Sequence, residues 1–168
     1  MKKYINTFKF FDGLSENDIK LFTKHIKIEN YKKDEIIISE GDYGESLLFV
    51  LDGEIMITQA LTLATNKFDK NDTREKQLTN LNSKDHKIML GEIALCSPDK
   101  KRNATVKAIV DCEIAKLEFD QIFKICNSDN SVGYKVMKNL SEIVTENLIN
   151  SNHKVLKLTT AFSLLIDN

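Results

Sequence analysis

The sequence has few of the residues that mark disulfide-rich or membrane proteins: three cysteines, one proline and no tryptophan among 168 residues. Cys96, Cys112 and Cys126 are odd in number and form no C-x-x-C pair, which argues against a disulfide framework or a zinc site. No apolar run reaches the roughly 18 residues of a membrane span. The N-terminal apolar run ends too early for a signal peptide. We therefore expect a cytoplasmic protein with reduced thiols and no membrane partner.

The sequence also has no large excess of charge of one sign and no cluster of histidines. The formal net charge is −1 at pH 7, so no general attraction to nucleic acid is expected. His25, His86 and His153 are far apart and form no H-x-H pair, and the sequence offers no recognisable nucleophile–base constellation. These observations disfavour a metal-dependent barrel enzyme, so we predict a non-enzymatic protein without metal or cofactor.

The apolar residues are arranged mainly in short segments of strand character, separated by turn signals. Gly41–Gly44 and Asp52-Gly53 are typical turns, and we interpret Asp52-Gly53 as the turn of a β-hairpin. Ser15 is a typical N-cap for a short helix over residues 15–25. The pattern predicts one mainly β domain, an antiparallel sandwich or barrel. The predicted strands are 26–31, 35–38, 47–51, 54–58, 87–90, 106–110 and 112–117.

Helical periodicity returns after the last strand. Residues 120–126 form a short apolar helix, and a longer helix is predicted over 131–150. Its apolar stripe should be buried either on its own domain or on a partner's identical helix. We expect the apolar tail, 151–168, to dock on the domain or on a second subunit. The polar stretch 66–87 is interpreted as a long solvated loop, with a short surface helix as the competing interpretation.

One stretch, 91–105, has the composition of a small-anion site. Gly91 and Glu92 lead into a short helical turn, whose N-terminal amides would come from Ile93, Ala94 and Leu95. Arg102 can fold back over the same place, and its planar fork can hold two phosphate oxygens at once. The stretch therefore predicts a phosphate site.

Glu92 is unexpected in an anion site because a carboxylate repels phosphate. It becomes useful if the ligand also presents a hydroxyl donor, as a ribose does. A ribose with a phosphate held close to it is a nucleotide, and a cyclic phosphate brings the two groups closest. Apolar residues just before the stretch would then face the sugar or the base.

Gly91-Glu92-Ile93-Ala94-Leu95 followed by Arg102-Asn103-Ala104-Thr105-Val106 resembles the phosphate-binding cassette of the cyclic-nucleotide-binding domain family. Gly13-Leu14-Ser15, Glu40-Gly41-Asp42 and Leu51-Asp52-Gly53-Glu54 are similar to the family's glycine framework. The resemblance covers roughly residues 8–150. It implies a jelly-roll-like antiparallel β-roll in domain 1–150, with a short N-terminal helix and C-terminal lid or dimerisation helices.

The resemblance also implies roles for individual residues. Glu92 would accept the ribose 2′-hydroxyl and Arg102 would bind the cyclic phosphate. The amides of Ile93, Ala94 and Asn103 would complete the phosphate shell. The remaining candidates are Gly91 and Ala104 in the cassette, and Leu90, Thr105 and Asn147 as possible walls of the base pocket.

Two interpretations remain open. The first is a stand-alone cyclic-nucleotide sensor that dimerises through the 131–150 helix and signals through lid movement or an effector protein. For this sensor cAMP is favoured over cGMP, and Asn103 leaves the choice between them open. Because only residues 151–168 follow that helix, no DNA-binding domain is expected. The second is a degenerate domain that acts as a scaffold without ligand. It is motivated by the polar insertion, by Leu90, where kinase-type members commonly carry phenylalanine, and by Asn103, where a small or hydroxyl residue is usual.

Overall fold

Eight short strands form two antiparallel sheets in the computed structural model, which describes residues 2–60 and 75–166. The strands are β1 (Lys27–Tyr31), β2 (Ile36–Ile38), β3 (Ser46–Asp52), β4 (Glu54–Ala60), β5 (Glu75–Asn82), β6 (Met89–Leu90), β7 (Thr105–Ala108) and β8 (Cys112–Glu118). The helices are α1 (Lys2–Ile5), a 3₁₀ helix (Lys9–Phe11), α2 (Glu16–Thr23), α3 (Glu92–Cys96), α4 (Phe119–Ser128) and α5 (Asn130–Ile166).

The strand orders are β1-β8-β3-β6 in one sheet and β2-β7-β4-β5 in the other. In the sheet that contains β3 and β8, alternation sends one set of side chains between the sheets and the other set toward the helices. On β3, for example, Leu48 and Val50 belong to the core between the sheets, whereas Leu47 and Phe49 belong to the core under the helices. The predicted mainly β fold with flanking helices is confirmed.

The Asp52-Gly53 turn does not close a hairpin, so that prediction is wrong. β3 pairs with β6 and β8, whereas β4 pairs with β5 and β7, and the turn carries the chain from one sheet to the other. The turn at Asp111 makes the same crossing between β7 and β8. A local turn signal specifies the bend but not the pairing partner, because the partner strands lie far away in the sequence.

An aromatic cluster joins the N-terminal segment to the first sheet. Phe8 and Phe10 pack edge-on against Phe49 of β3, with ring centroids 5.1 and 5.7 Å away. As predicted, Ser15 caps α2: its hydroxyl accepts the Asp18 N–H, and the Asp18 carboxylate accepts the Ser15 N–H in return. Hydrogen bonds from Asn139 to the carbonyls of Phe10 and Asp12 join this segment to α5.

The loop predicted over 66–87 is wrong for residues 75–82, which form β5 along the whole of β4. Backbone pairing on an exposed sheet edge does not need apolar side chains, so the polar composition concealed the strand. The part of the predicted loop over 66–74 lies outside the described residues.

The predicted helix over 131–150 does not end there: α5 runs without a break from Asn130 to Ile166. Val132, Val136 and Leu140 are buried against the same chain, so this part of the stripe is not available to a partner. Residues 151–166 of the tail are exposed, so the prediction that it docks on its own domain is wrong, and docking on a second subunit stays a prediction. In the ranges that the structure describes, no helix is long and apolar enough to cross a membrane.

Candidate functional site

Gly91 sets the geometry of the cassette. It lies just before α3 in the left-handed region, at a φ of 99°. A side chain there would place its Cβ 2.7 Å from the Ser46 carbonyl oxygen and even closer to Nη1 of Arg102. Glycine is therefore required both by the backbone conformation and by the guanidinium packed against it.

The first turn of α3 provides fewer open amides than the sequence predicts. The Leu95 N–H donates to the Gly91 carbonyl at 3.0 Å, so its predicted role as a phosphate donor is wrong. The amides of Ile93 and Ala94 precede the first intrahelical hydrogen bond, and their role as phosphate donors stays a prediction. The hydrogen bond from Leu95 to Gly91 therefore removes the fourth amide of the first turn from the site.

Arg102 is buried, with only 9% of its surface exposed. Its Nη2 donates to the Ser46 carbonyl at 2.9 Å and lies 3.4 Å from the Ser46 hydroxyl. Its Nη1 has no hydrogen-bond partner among the described residues. Burial lowers the pKa of the guanidinium, opposed by the negative charges of Glu92 and Asp42. An unpartnered buried N–H group is costly, and an anion would satisfy it.

Gly44 was not recognised in the sequence as a residue of this site. A Cβ at Gly44 would lie 2.9 Å from Nε of Arg102 and 2.8 Å from Cβ of Ala94. The loop around it is tied to the cassette, since the Gly44 N–H donates to the Lys100 carbonyl at 2.7 Å. Arg102 is therefore held between two glycines, Gly44 and Gly91.

Glu92 is also buried, with 8% of its surface exposed. Burial raises the pKa of its carboxyl above the ordinary value. Hydrogen bonds from the backbone of Glu92 and Gly91 and from the Asn147 side chain oppose that shift, as does the charge of Arg102. Asn147 reaches the carboxylate from α5, and its Nδ2 donates to Oε1 at 3.0 Å. The predicted ribose acceptor is therefore in contact with α5.

The other predicted site residues are more scattered. Leu90 is buried in the core between the sheets, and Ala104 is half-buried. The Thr105 hydroxyl accepts the Glu40 N–H at 3.1 Å, which joins the cassette to the end of β2. Asn103 is exposed. Asn147, predicted as a base wall, makes its hydrogen bond to Glu92.

A family model described as the cyclic nucleotide-binding domain matches residues 28–129, which is more than half of the chain. The chain belongs to this family. The matched range contains both sheets except Lys27, the first residue of β1, and the complete cassette from Gly91 to Thr105.

Relatives and solved structures agree with this assignment. The cAMP-activated global transcriptional regulator Vfr of Pseudomonas aeruginosa is 25% identical over 118 residues, or 70% of this chain and 51% of the regulator. The chain thus spans about half the length of this curated relative. A cyclic nucleotide-binding domain from Methylobacillus flagellatus shares the fold with a TM-score of 0.73, at 19% identity over 90% of this chain and 78% of that one. The cAMP-bound PfPKA-R has a TM-score of 0.59 and 27% identity, covering 74% and 39% of the two chains.

Two cavities border the site of this cyclic nucleotide-binding domain. Arg102, with Ser46 and Leu48, borders a cavity of about 340 Å³ whose wall also carries Lys116 and Glu118. Asn147 borders a second cavity of about 230 Å³ between α5 and β6. The first cavity is lined by Arg102 of the cassette, whereas the second reaches the site only through Asn147.

The three histidines do not meet in this domain. His86 and His153 are exposed, and His25 follows the end of α2. Within residues 2–60 and 75–166, no group of three histidine, cysteine or acidic side chains is arranged to hold a metal ion.

Glu92→Gln should raise the thermal stability of the ligand-free domain at pH 7. The folded state raises the pKa of this acid above its unfolded value, so folding favours the protonated form. That contribution is present at low pH and is lost as the pH rises through the raised pKa. Glutamine does not ionise, so we expect a melting temperature a few degrees above wild type at pH 7.

The measurement is differential scanning calorimetry of both proteins between pH 4.5 and 8. The difference should shrink as the pH falls toward the ordinary carboxyl range. Glu45→Gln is the matched control, because the Glu45 side chain is exposed. A Glu92→Gln protein that is less stable than wild type at every pH would contradict the prediction.

Proposed function

We propose that this domain is a sensor that binds a cyclic nucleotide, cAMP in preference to cGMP. The observation that carries the proposal is Arg102, a buried guanidinium whose Nη1 has no partner in the described part of the chain. The first-turn amides of Ile93 and Ala94 belong to the same cassette. The positive charge and planar fork of Arg102, together with these amide donors, suit the phosphate of a cyclic nucleotide.

Glu92 extends the site from a phosphate to a sugar phosphate. Its carboxylate accepts the Asn147 N–H at Oε1, and a carboxylate has capacity for about four hydrogen bonds. A ribose hydroxyl can therefore donate to the same group. The preference for cAMP is supported by the relatives, since Vfr is cAMP-activated and PfPKA-R was solved with cAMP.

Isothermal titration calorimetry with cAMP, cGMP and 5′-AMP tests the proposal. We expect saturable binding of cAMP, weaker binding of cGMP, and little binding of 5′-AMP, whose open phosphate carries more charge and occupies more space. A ligand at about 100 times its Kd should also stabilise the fold by about 2.7 kcal/mol. Absence of binding by either cyclic nucleotide at millimolar concentration would overturn the proposal and favour the ligand-free scaffold.

The signal would leave the domain through α5. Ligand would shift the population toward the conformation in which α5 and the cassette fit it best. An effector protein that distinguishes the two conformations would complete the response. Hydrogen exchange of α5 with and without cAMP tests this step, and identical exchange in both states would contradict it.

We also propose a homodimer, formed by residues 148–166 of α5 rather than by its buried stripe at Val132, Val136 and Leu140. Leu148, Val155 and Phe162 are seven residues apart, and each is about 60% exposed, at 59%, 62% and 65%. This is the heptad spacing of a coiled coil. The residues 148–166 also include further exposed leucines and isoleucines, an apolar surface larger than monomers usually leave in water.

The double variant Val155→Glu, Phe162→Glu should be monomeric, because two buried carboxylates on each helix would repel across the seam. Sedimentation equilibrium should give the dimer mass for wild type and half of it for the variant. Thr160→Glu is the control, since Thr160 lies on the opposite face in the heptad. A wild-type monomer at micromolar concentration would refute the dimer.

A further inference from the structure

We propose that Asn147 is a positioning residue that couples α5 to the ribose acceptor Glu92. The inference rests on the proposed function and assigns to one side chain the link between ligand and helix. It starts from a single contact, the 3.0 Å hydrogen bond from Asn147 Nδ2 to Glu92 Oε1. The two residues are 55 positions apart in the sequence and come from separate elements.

The segment of α5 that carries Asn147 is also anchored by the N-terminal 3₁₀ helix and the residues next to it. Asn139 is buried, and its Nδ2 donates to the carbonyls of Phe10 and Asp12 at 3.1 and 2.8 Å. Lys9 forms ion pairs with Glu146 and with Glu142. Residues 139–147 are therefore held between the N-terminal segment and the cassette.

The hydrogen bond stabilises the ionised carboxylate of Glu92, which is the group that would accept the ribose hydroxyl. Without a donor from α5, the buried carboxylate would be less well solvated and would favour its neutral form. A neutral carboxyl accepts a ribose hydroxyl more weakly than an ionised one does. Asn147 occupies only Oε1, so it can hold the carboxylate and leave capacity for the hydroxyl.

The charged surroundings of Glu92 are few. Arg102 acts on it from the cassette, and the Cys96 thiol lies close enough on α3 to have its own pKa raised by Glu92 in addition to burial. On α5 the neighbouring Glu146 is paired with Lys9. The Asn147 amide is therefore a neutral donor that favours the ionised form of Glu92, whose main charged neighbour is Arg102.

Coupling of this kind is reciprocal: if α5 docking favours the ligand, the ligand favours α5 docking by the same factor. Loss of the Asn147 hydrogen bond should thus weaken cyclic nucleotide binding and loosen residues 139–150 together. A purely structural role would change stability without moving the pH dependence of binding.

The experiment compares Asn147→Leu with Asn150→Leu, an exposed asparagine on the same helix that serves as the control. The cAMP Kd of each 168-residue variant is measured by calorimetry between pH 5 and 8. For Asn147→Leu we expect about ten- to hundred-fold weaker binding at pH 7, the loss typical of a hydrogen bond to a charged group. The acid limb of its binding profile should also move to higher pH, because Glu92 is protonated more easily.

Asn147→Asp is the second variant, in which two carboxylates face each other. It should bind more weakly than Asn147→Leu at pH 7 and should recover toward it as the pH falls. Hydrogen exchange of ligand-free protein should show faster exchange over 139–150 in both Asn147 variants but not in Asn150→Leu. Far-UV circular dichroism verifies that each variant is folded.

The outcomes separate the two proposals. If wild type and Asn147→Leu bind cAMP equally and have the same acid limb, this inference is overturned while the proposed function stands. If wild type binds no cyclic nucleotide, the proposed function is overturned and the coupling with it. Weaker binding, a shifted acid limb and faster exchange, all confined to Asn147 variants, support the inference.

Discussion

Arg102→Met should weaken cyclic nucleotide binding by at least about thirty-fold. Truncating one partner of a buried, hydrogen-bonded charge pair costs about 2–5 kcal/mol, and each 1.4 kcal/mol is a factor of about ten in Kd. Methionine fills much of the same space and offers no donor to a phosphate. In the ligand-free domain the same change removes a buried charge whose Nη1 has no partner among the described residues, so the protein should still fold.

Two further variants test whether the loss of affinity is specific to the Arg102 guanidinium. Lys101→Met removes a positive charge at the neighbouring exposed position and should change Kd little. Arg102→Lys keeps the charge but loses the fork, so its Kd should lie between those of wild type and Arg102→Met. Calorimetric titration with cAMP gives all three values. Unchanged affinity in Arg102→Met would place the phosphate outside the cassette.

Phe49→Ala should destabilise the domain by about 3–5 kcal/mol, the usual cost of removing a buried phenylalanine. Phe49 is fully buried, and its ring contacts Phe8, Phe10 and Phe11. Deleting it would open a cavity where the N-terminal segment meets β3. For a chain of this size the melting temperature should fall by about 6–20 °C.

Urea denaturation monitored by circular dichroism measures the change in unfolding free energy. Tyr134→Ala is the aromatic control, because Tyr134 on α5 is 71% exposed, and it should lie within about 0.5 kcal/mol of wild type. A Phe49→Ala protein as stable as the control would mean that the aromatic cluster relaxes to fill the space. Because the N-terminal segment also anchors α5, Phe49→Ala should loosen that helix as well.

The sequence predicted those parts of the domain that depend on local patterns. Alternation of apolar residues placed most of the strands, and Ser15 marked the start of α2 correctly. The cassette was recognisable because the glycine, the acid and the arginine fall within one short stretch. Each of these features depends on residues that are close together in the chain, so a single sequence is enough to detect it.

Features that depend on distant residues could not be predicted in this way. Ser46 holds the guanidinium from a position 56 residues before Arg102, and Gly44 makes room for it without any motif of its own. One of the two strands that pair with β4 is β5, and its polar composition resembles that of a loop. The Asp52-Gly53 turn gave the bend correctly but not the change of sheet, since sheet membership is decided by β7 and β8.

If α5 carries the signal as proposed, its length beyond Asn147 would let it act as a lever arm. At 1.5 Å per residue, the 19 steps from Asn147 to Ile166 span about 28 Å, and the buried contacts of the helix end near Leu140. If α5 turns by about 10° around its anchored part, its far end moves by about 5 Å. A displacement at Glu92 too small to disturb the sheets would thus become a movement large enough for another protein to detect.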